Sequence, residues 1–208
     1  MNDRLLTALT TEHFTLQGAR SQTQSEISAR ASLFVLSVSS ALIALGFISQ
    51  VSQVGDLFNT FALTVLPTLY VLGAITFVRL VECAAEDFRY GMAINRIRAY
   101  YEEIAGDRAE LFLLSASDDP AGVRENMAQP RGGRMPIFAF SSAIAMVDGV
   151  VGGASVAVAL GALADASLAV AAIAGGLAAL ASIVGWIRYS DGLFNARAAE
   201  VRPLFPSS

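Results

Sequence analysis

Residues 143–187 read AIAMVDGVVGGASVAVALGALADASLAVAAIAGGLAALASIVGWI. The stretch is apolar or small almost throughout, with Asp148 and Asp165 as its two charged residues. A helix needs about 20 such residues to cross the hydrocarbon core of a bilayer. Ala164–Asp165 divides the run into two spans of sufficient length, Pro136–Leu163 and Ala166–Ile187. Polarity does not alternate along either, so strands of a membrane barrel are a poor fit and helices are expected.

Working outward, Ala31–Gln50 and Thr60–Val78 have the same character. The expected fold is therefore an all-α, polytopic membrane protein, with four transmembrane helices in two hairpins plus a helical cytoplasmic layer. The segments are a cytoplasmic N-terminal helix (1–30), hairpin one (31–78), a cytoplasmic helical segment (79–135), hairpin two (136–187) and a cytoplasmic tail (188–208). The N-terminus MNDRLLTALTTEHF has no long apolar core and does not read as a secretory signal, so the whole chain is expected in the mature protein.

Composition agrees with a membrane protein. Of 208 residues 54% are apolar and 15% charged, against about 25% charged in soluble domains. Net charge is −4 with no basic block, which argues against a nucleic-acid partner and leaves the lipid bilayer as the principal one. Cys83 and His13 are the single cysteine and the single histidine, so thiolate metal sites and the usual catalytic triads lack their parts. There is no lysine for a Walker A loop. No enzyme activity, metal or cofactor is expected.

All 14 basic residues are arginine, which with the high Ala and Gly content fits a GC-rich bacterial genome. They fall in the N-terminal segment, between spans two and three, and in the tail. The short connections VSQVGDLFN and AD hold none. The positive-inside rule then places both termini and the central segment in the cytoplasm, with Trp186 and Tyr189 at the cytoplasmic interface and Arg131 and Arg134 at the phosphate level.

Asp148 is the chief candidate for function. It lies near the expected centre of span three, where a carboxylate costs about 2.5–3.5 kcal/mol to insert. No Arg, Lys or His lies inside a span to offset this, so hydroxyl partners are expected: Tyr70, or Ser39 and Ser40 of span one. Thr64 and Thr68 share a face with Thr60, and Pro67 beside them frees a backbone carbonyl. Together these residues outline a polar pocket at mid-depth, a candidate pore or ion site. The other reading is a hydrogen-bonded carboxyl that only fixes helix packing.

Gly149 and Gly153 form GxxxG, continued by Ala157 and Gly161, and Gly175 lies on a matching face of span four. Such faces allow close backbone approach and are expected to pack the two spans together. In the cytoplasmic part, Tyr90, Ile94, Ile97, Tyr101 and Ile104 recur at spacings of 4, 3, 4 and 3. They form a coiled-coil type seam, expected to pack on the N-terminal helix or to pair between subunits; on that helix Leu5, Leu9 and Leu16 fall roughly on one face. Asp119 before Pro120 marks a helix start, and adjacent Asp118 reads as part of the same cap rather than as a metal ligand.

Three stretches, ARASLFVLSVSSALIALGF (29–47), INRIRAYYEEIA (94–105) and SASDDPAGV (115–123), resemble an uncharacterised family of small four-span integral membrane proteins of actinobacteria. That resemblance implies a bacterial inner-membrane protein and no particular substrate. More loosely, cytoplasmic helices joined to a membrane hairpin resemble the SLATT-type proteins, a group proposed to form membrane pores, although that group has one hairpin. Two functions follow as expectations. One is an oligomeric pore or ion-permeable channel using Asp148, Tyr70 and the Thr face. The other is a membrane-anchored interaction protein whose cytoplasmic helices, with Arg96 and Arg98, bind a protein partner.

Overall fold

The structure is a computed structural model that describes residues 3–51, 55–128 and 140–207. It is all-helical among these residues: α1 (Asp3–Val51), α2 (Gly55–Ala105), a 3₁₀ turn (Gly106–Leu111), α3 (Pro120–Asn126), α4 (Phe140–Leu163) and α5 (Leu168–Ala199). Four of these, α1, α2, α4 and α5, are long and apolar enough to cross a membrane. The segment expected to carry Arg131 and Arg134 lies outside the described residues, as do residues 136–139 of the third expected span.

Helix ends follow local chemistry. α4 stops where Asp165 turns to a positive φ of 49°, a conformation that Asp tolerates better than most side chains. The Ala164 and Ala166 amides then both donate to the Leu160 carbonyl. Ser167 caps α5, its Oγ accepting from the Val170 amide at 3.4 Å. No helix boundary occurs at 30/31 or 78/79, because nothing there resembles a cap: α1 and α2 run straight through both positions.

The chain divides into two compact units. Unit one comprises residues 1–27, 82–136 and 191–208, and unit two comprises 28–81 and 137–190. In unit one, Leu16 of α1 is buried against Ile94 and Ile97 of α2, with Leu9, Tyr90, Ala93 and Tyr101 around them. The expected seam therefore packs within one chain. Ile104 is the exception: it is 38% exposed, and Leu5 is likewise exposed. A second cluster joins Phe88, Met92 and Val123, with Met127, Phe194 and Val201 around it. The forked ion pair of Arg20 with Asp87 (2.9 and 3.0 Å) ties α1 to α2.

In unit two, Phe34, Ala62, Leu66, Leu69, Phe77 and Ile144 turn inward. The outward faces are just as apolar, with Leu33, Leu36, Ile43, Phe47, Val71, Ile75, Ile173 and Leu177 exposed.

Ile97→Ala should lower the stability of unit one by about 2–4 kcal/mol, the usual cost of truncating a buried aliphatic side chain. Ile104→Ala should stay within about 0.5 kcal/mol. Amide hydrogen exchange of residues 9–20 measures both. Equal effects at the two positions would contradict the seam as observed.

Candidate functional site

Asp148 is fully buried on α4 within unit two. Its Oδ2 accepts from Trp186 Nε1 of α5 at 3.1 Å. Its Oδ1 has no hydrogen-bond partner among the described residues. The carboxyl lies over Gly73 of α2, where an added Cβ would run into Asp148 Oδ1 and Cγ and the Phe34 ring. Phe77 completes the wall, its ring centroid 4.9 Å from that of Trp186. The niche is thus a carboxyl beside the Trp186 indole and the Phe34 ring, over a glycine.

These contacts correct the expected partners. Tyr70 does not meet Asp148. Its hydroxyl pairs with Ser182 Oγ at 2.9 Å, and its ring packs against Gly152. Ser39 and Ser40 are exposed on α1. Thr64 and Thr68 are exposed on α2, each donating its hydroxyl to the carbonyl four residues earlier, at 2.9 and 2.7 Å. Pro67 is also exposed. The six residues therefore do not converge on one pocket. Nothing in the sequence pattern marks Trp186, whose residue type suits a membrane interface, or Gly73, an isolated glycine outside any repeat.

The small-residue face falls where expected, with one exception. Gly153 and Gly175 approach so closely that a Cβ on either would meet the other's carbonyl, and Gly149 lies against Ile183 and Ala179. Gly161 is exposed and has nothing within contact range.

A second constellation occupies unit one. Asp119 caps α3, its Oδ1 accepting from the Gly122 amide at 2.8 Å, with Pro120 in the first turn. Asp118 does more than extend this cap. It is fully buried, and it receives the amides of Leu204 and Phe205 and Nε of Arg96 at 3.0, 2.7 and 2.6 Å. Asp119 Oδ2 takes the amide and hydroxyl of Ser207, both at 2.7 Å. The C-terminal tail is thus clasped by two adjacent carboxylates. Burial alone would raise the Asp118 pKa, but the Leu204 and Phe205 amides and Arg96 together hold it below the usual carboxylate value. Burial opposes Asp119 in the same way, and the Gly122 amide and Ser207 outweigh it.

Arg96 also donates to the Arg202 carbonyl, and Arg98 donates to Asn95 Oδ1 and the Ser115 carbonyl. Both arginines tie parts of unit one together. A cavity of about 340 Å³ lies beside the clasp, lined by Glu86, Arg89, Tyr90, Met92, Ala93, Arg96 and Val201. His13, the one histidine, rests near the Tyr101 ring (6.1 Å); burial, with Arg98 nearby, lowers its pKa. Among the described residues no three His, Cys, Asp or Glu side chains gather as a metal site would require.

Comparison with protein-family models, curated proteins and solved structures finds no match to this chain.

Trp186 is the single tryptophan, so intrinsic fluorescence reads the Asp148 niche alone. Gly73→Ala should displace the carboxyl, shift the emission and cost about 1–3 kcal/mol by overpacking, whereas Gly161→Ala should change neither. Unaltered emission in Gly73→Ala would contradict the packing.

The clasp carries a pH dependence. Asp118 and Asp119 titrate lower in the folded chain than unfolded. Their contribution is complete above the ordinary carboxylate value, about 4, and is lost as pH falls through the depressed folded values. Amide exchange at Leu204, Phe205 and Ser207 should stay protected at neutral pH and lose protection only in strong acid. Release near pH 6 would contradict the assignment.

Proposed function

We propose that this chain is a non-catalytic, membrane-anchored interaction protein: unit two sits in the bilayer, and unit one presents a surface to a protein partner. The observation that carries the reading is an apolar ridge after α2. In unit one, whose folding uses buried ion pairs, Leu111, Leu113 and Leu114 are exposed, Leu113 to 95%, with Phe112 beside them. Four adjacent apolar side chains held outward are unusual on a surface facing water and fit a binding site.

Membrane anchoring is supported by the exterior of unit two. The eight exposed side chains named above favour hydrocarbon over water by about 1.5–3 kcal/mol each. That is on the order of 10–20 kcal/mol in total, comparable with the 5–15 kcal/mol that stabilises an ordinary fold. The arginines support one orientation. Eleven of the 14 lie within the bounds of unit one, and Arg30, Arg79 and Arg188 lie within three residues of the ends of unit two. Such a distribution favours a cytoplasmic unit one. A bacterial inner membrane, implied by the likeness of residues 29–47, 94–105 and 115–123, belongs to the same proposal.

In this setting Asp148 lies within the apolar span, eight residues after the start of α4 at Phe140. Enclosed by Phe34, Gly73 and Trp186, it serves packing better than permeation.

A second reading, an oligomeric pore formed between copies, is favoured by the outward-facing Ser39, Ser40, Thr64 and Thr68. One pair of experiments separates the two. A photoreactive residue in place of Leu113 should cross-link, in native membranes, to one protein of defined mass, and Leu111→Ser should suppress that adduct. Liposomes holding the purified chain should show no ion flux, with or without Asp148→Asn. Flux that Thr64→Ala or Thr68→Ala alters, without a cross-link, would replace this reading with the pore.

A further inference from the structure

We infer that the Asp118–Asp119 clasp is a peptide-acceptor site whose own C-terminal tail is a detachable occupant, and that the tail of a second copy fits it equally. The tail binds as a linear ligand does. Its donors are backbone amides at Leu204, Phe205 and Ser207, together with the Ser207 hydroxyl. The Phe205 carbonyl accepts one bond from the Asp118 amide at 3.0 Å. Pro203 and Pro206 stand at the positions that supply no amide. Proline also fixes φ and keeps such a segment extended before it binds, which lowers the cost of ordering it.

Few apolar contacts oppose release. Leu204 remains 61% exposed and Phe205 42% exposed. The seat is built independently of the tail: Arg96 of α2 reaches Asp118, and the Gly122 amide holds Asp119. A tail that leaves gives up these backbone hydrogen bonds and the packing of Val201 on the Phe88, Met92 and Val123 cluster, and it opens Asp118 and Asp119 to water, which replaces the lost donors. Four residues, 200–203, join α5 to the clasped Leu204 amide, so exchange between chains needs a change at few backbone positions. The second copy's tail is the ligand whose fit is already visible, and the same bonds form in trans.

The test uses the full chain in lipid nanodiscs and a synthetic peptide, EVRPLFPSS, residues 200–208. A tethered tail competes at an effective concentration of about millimolar. Labelled peptide should therefore bind saturably, with half-saturation at or above that concentration. As it binds, the chain's own Leu204, Phe205 and Ser207 amides should lose exchange protection while the α2 amides keep theirs. Asp118→Asn, which turns an N–H₂ toward amide donors, should remove peptide binding. Tail amides unmoved by peptide at tenfold that concentration would overturn the inference. So would tail amides that exchange only together with those of α2, a result that needs no variant to fold.

Discussion

Asp118 is the point on which unit one closes. A buried carboxylate that lost its donors would cost several kcal/mol in such surroundings, and its donors come from α2 and from the far end of the chain. Leucine and isoleucine contacts between α1 and α2 form one side of the unit and the aromatic pair Phe88–Phe194 (4.7 Å) forms another. The Asp118 bonds add what apolar contact cannot, a fixed register between the loop before α3 and the tail. With Arg96 engaged there and Arg98 bound to Asn95 and Ser115, the cations that looked free in sequence are internal ties.

Unit two rests on a different constraint. Its helices satisfy their own backbone groups, so they tolerate an apolar surrounding, and contact between them is set by how closely backbones approach. Gly153 and Gly175 give α4 and α5 their closest contact, and Gly73 leaves room over α2 for the one buried carboxylate. The Trp186 indole then supplies the donor that a hydroxyl was expected to supply.

Much of the architecture was legible from residue patterns. Long Ala- and Leu-rich runs announce helices, the 4–3 spacing of Tyr90, Ile94, Ile97 and Tyr101 announces the face that packs on Leu9 and Leu16, and Asp119-Pro120 announces the start of α3. What escaped was long-range. Asp118 looked like a cap because its partners lie 86 and 87 residues away. Arg20 and Asp87 gave no sign of meeting across 67 positions. For Asp148, the lack of a basic residue in any span points to a hydroxyl, whereas its actual donor, Trp186, depends on how α4 and α5 are staggered. Ser39, Ser40, Thr64 and Thr68 drew notice as polar groups in apolar runs, but Ser and Thr in helices commonly return their hydroxyls to their own backbone, as Thr64 and Thr68 do.

The tail clasp also sets an order of events during synthesis. Chains fold from the N-terminus as they emerge, at about 5–20 residues per second, and Leu204 and Phe205 emerge 86 and 87 residues after Asp118. Until then the seat at Asp118 has Arg96 but none of the tail amides, so unit one stays unfinished while every apolar helix has already been made. The clasp therefore closes only after α1, α2, α4 and α5 have been made, and synthesis interrupted between Ala199 and Leu204 would leave those helices without the fastening that completes unit one.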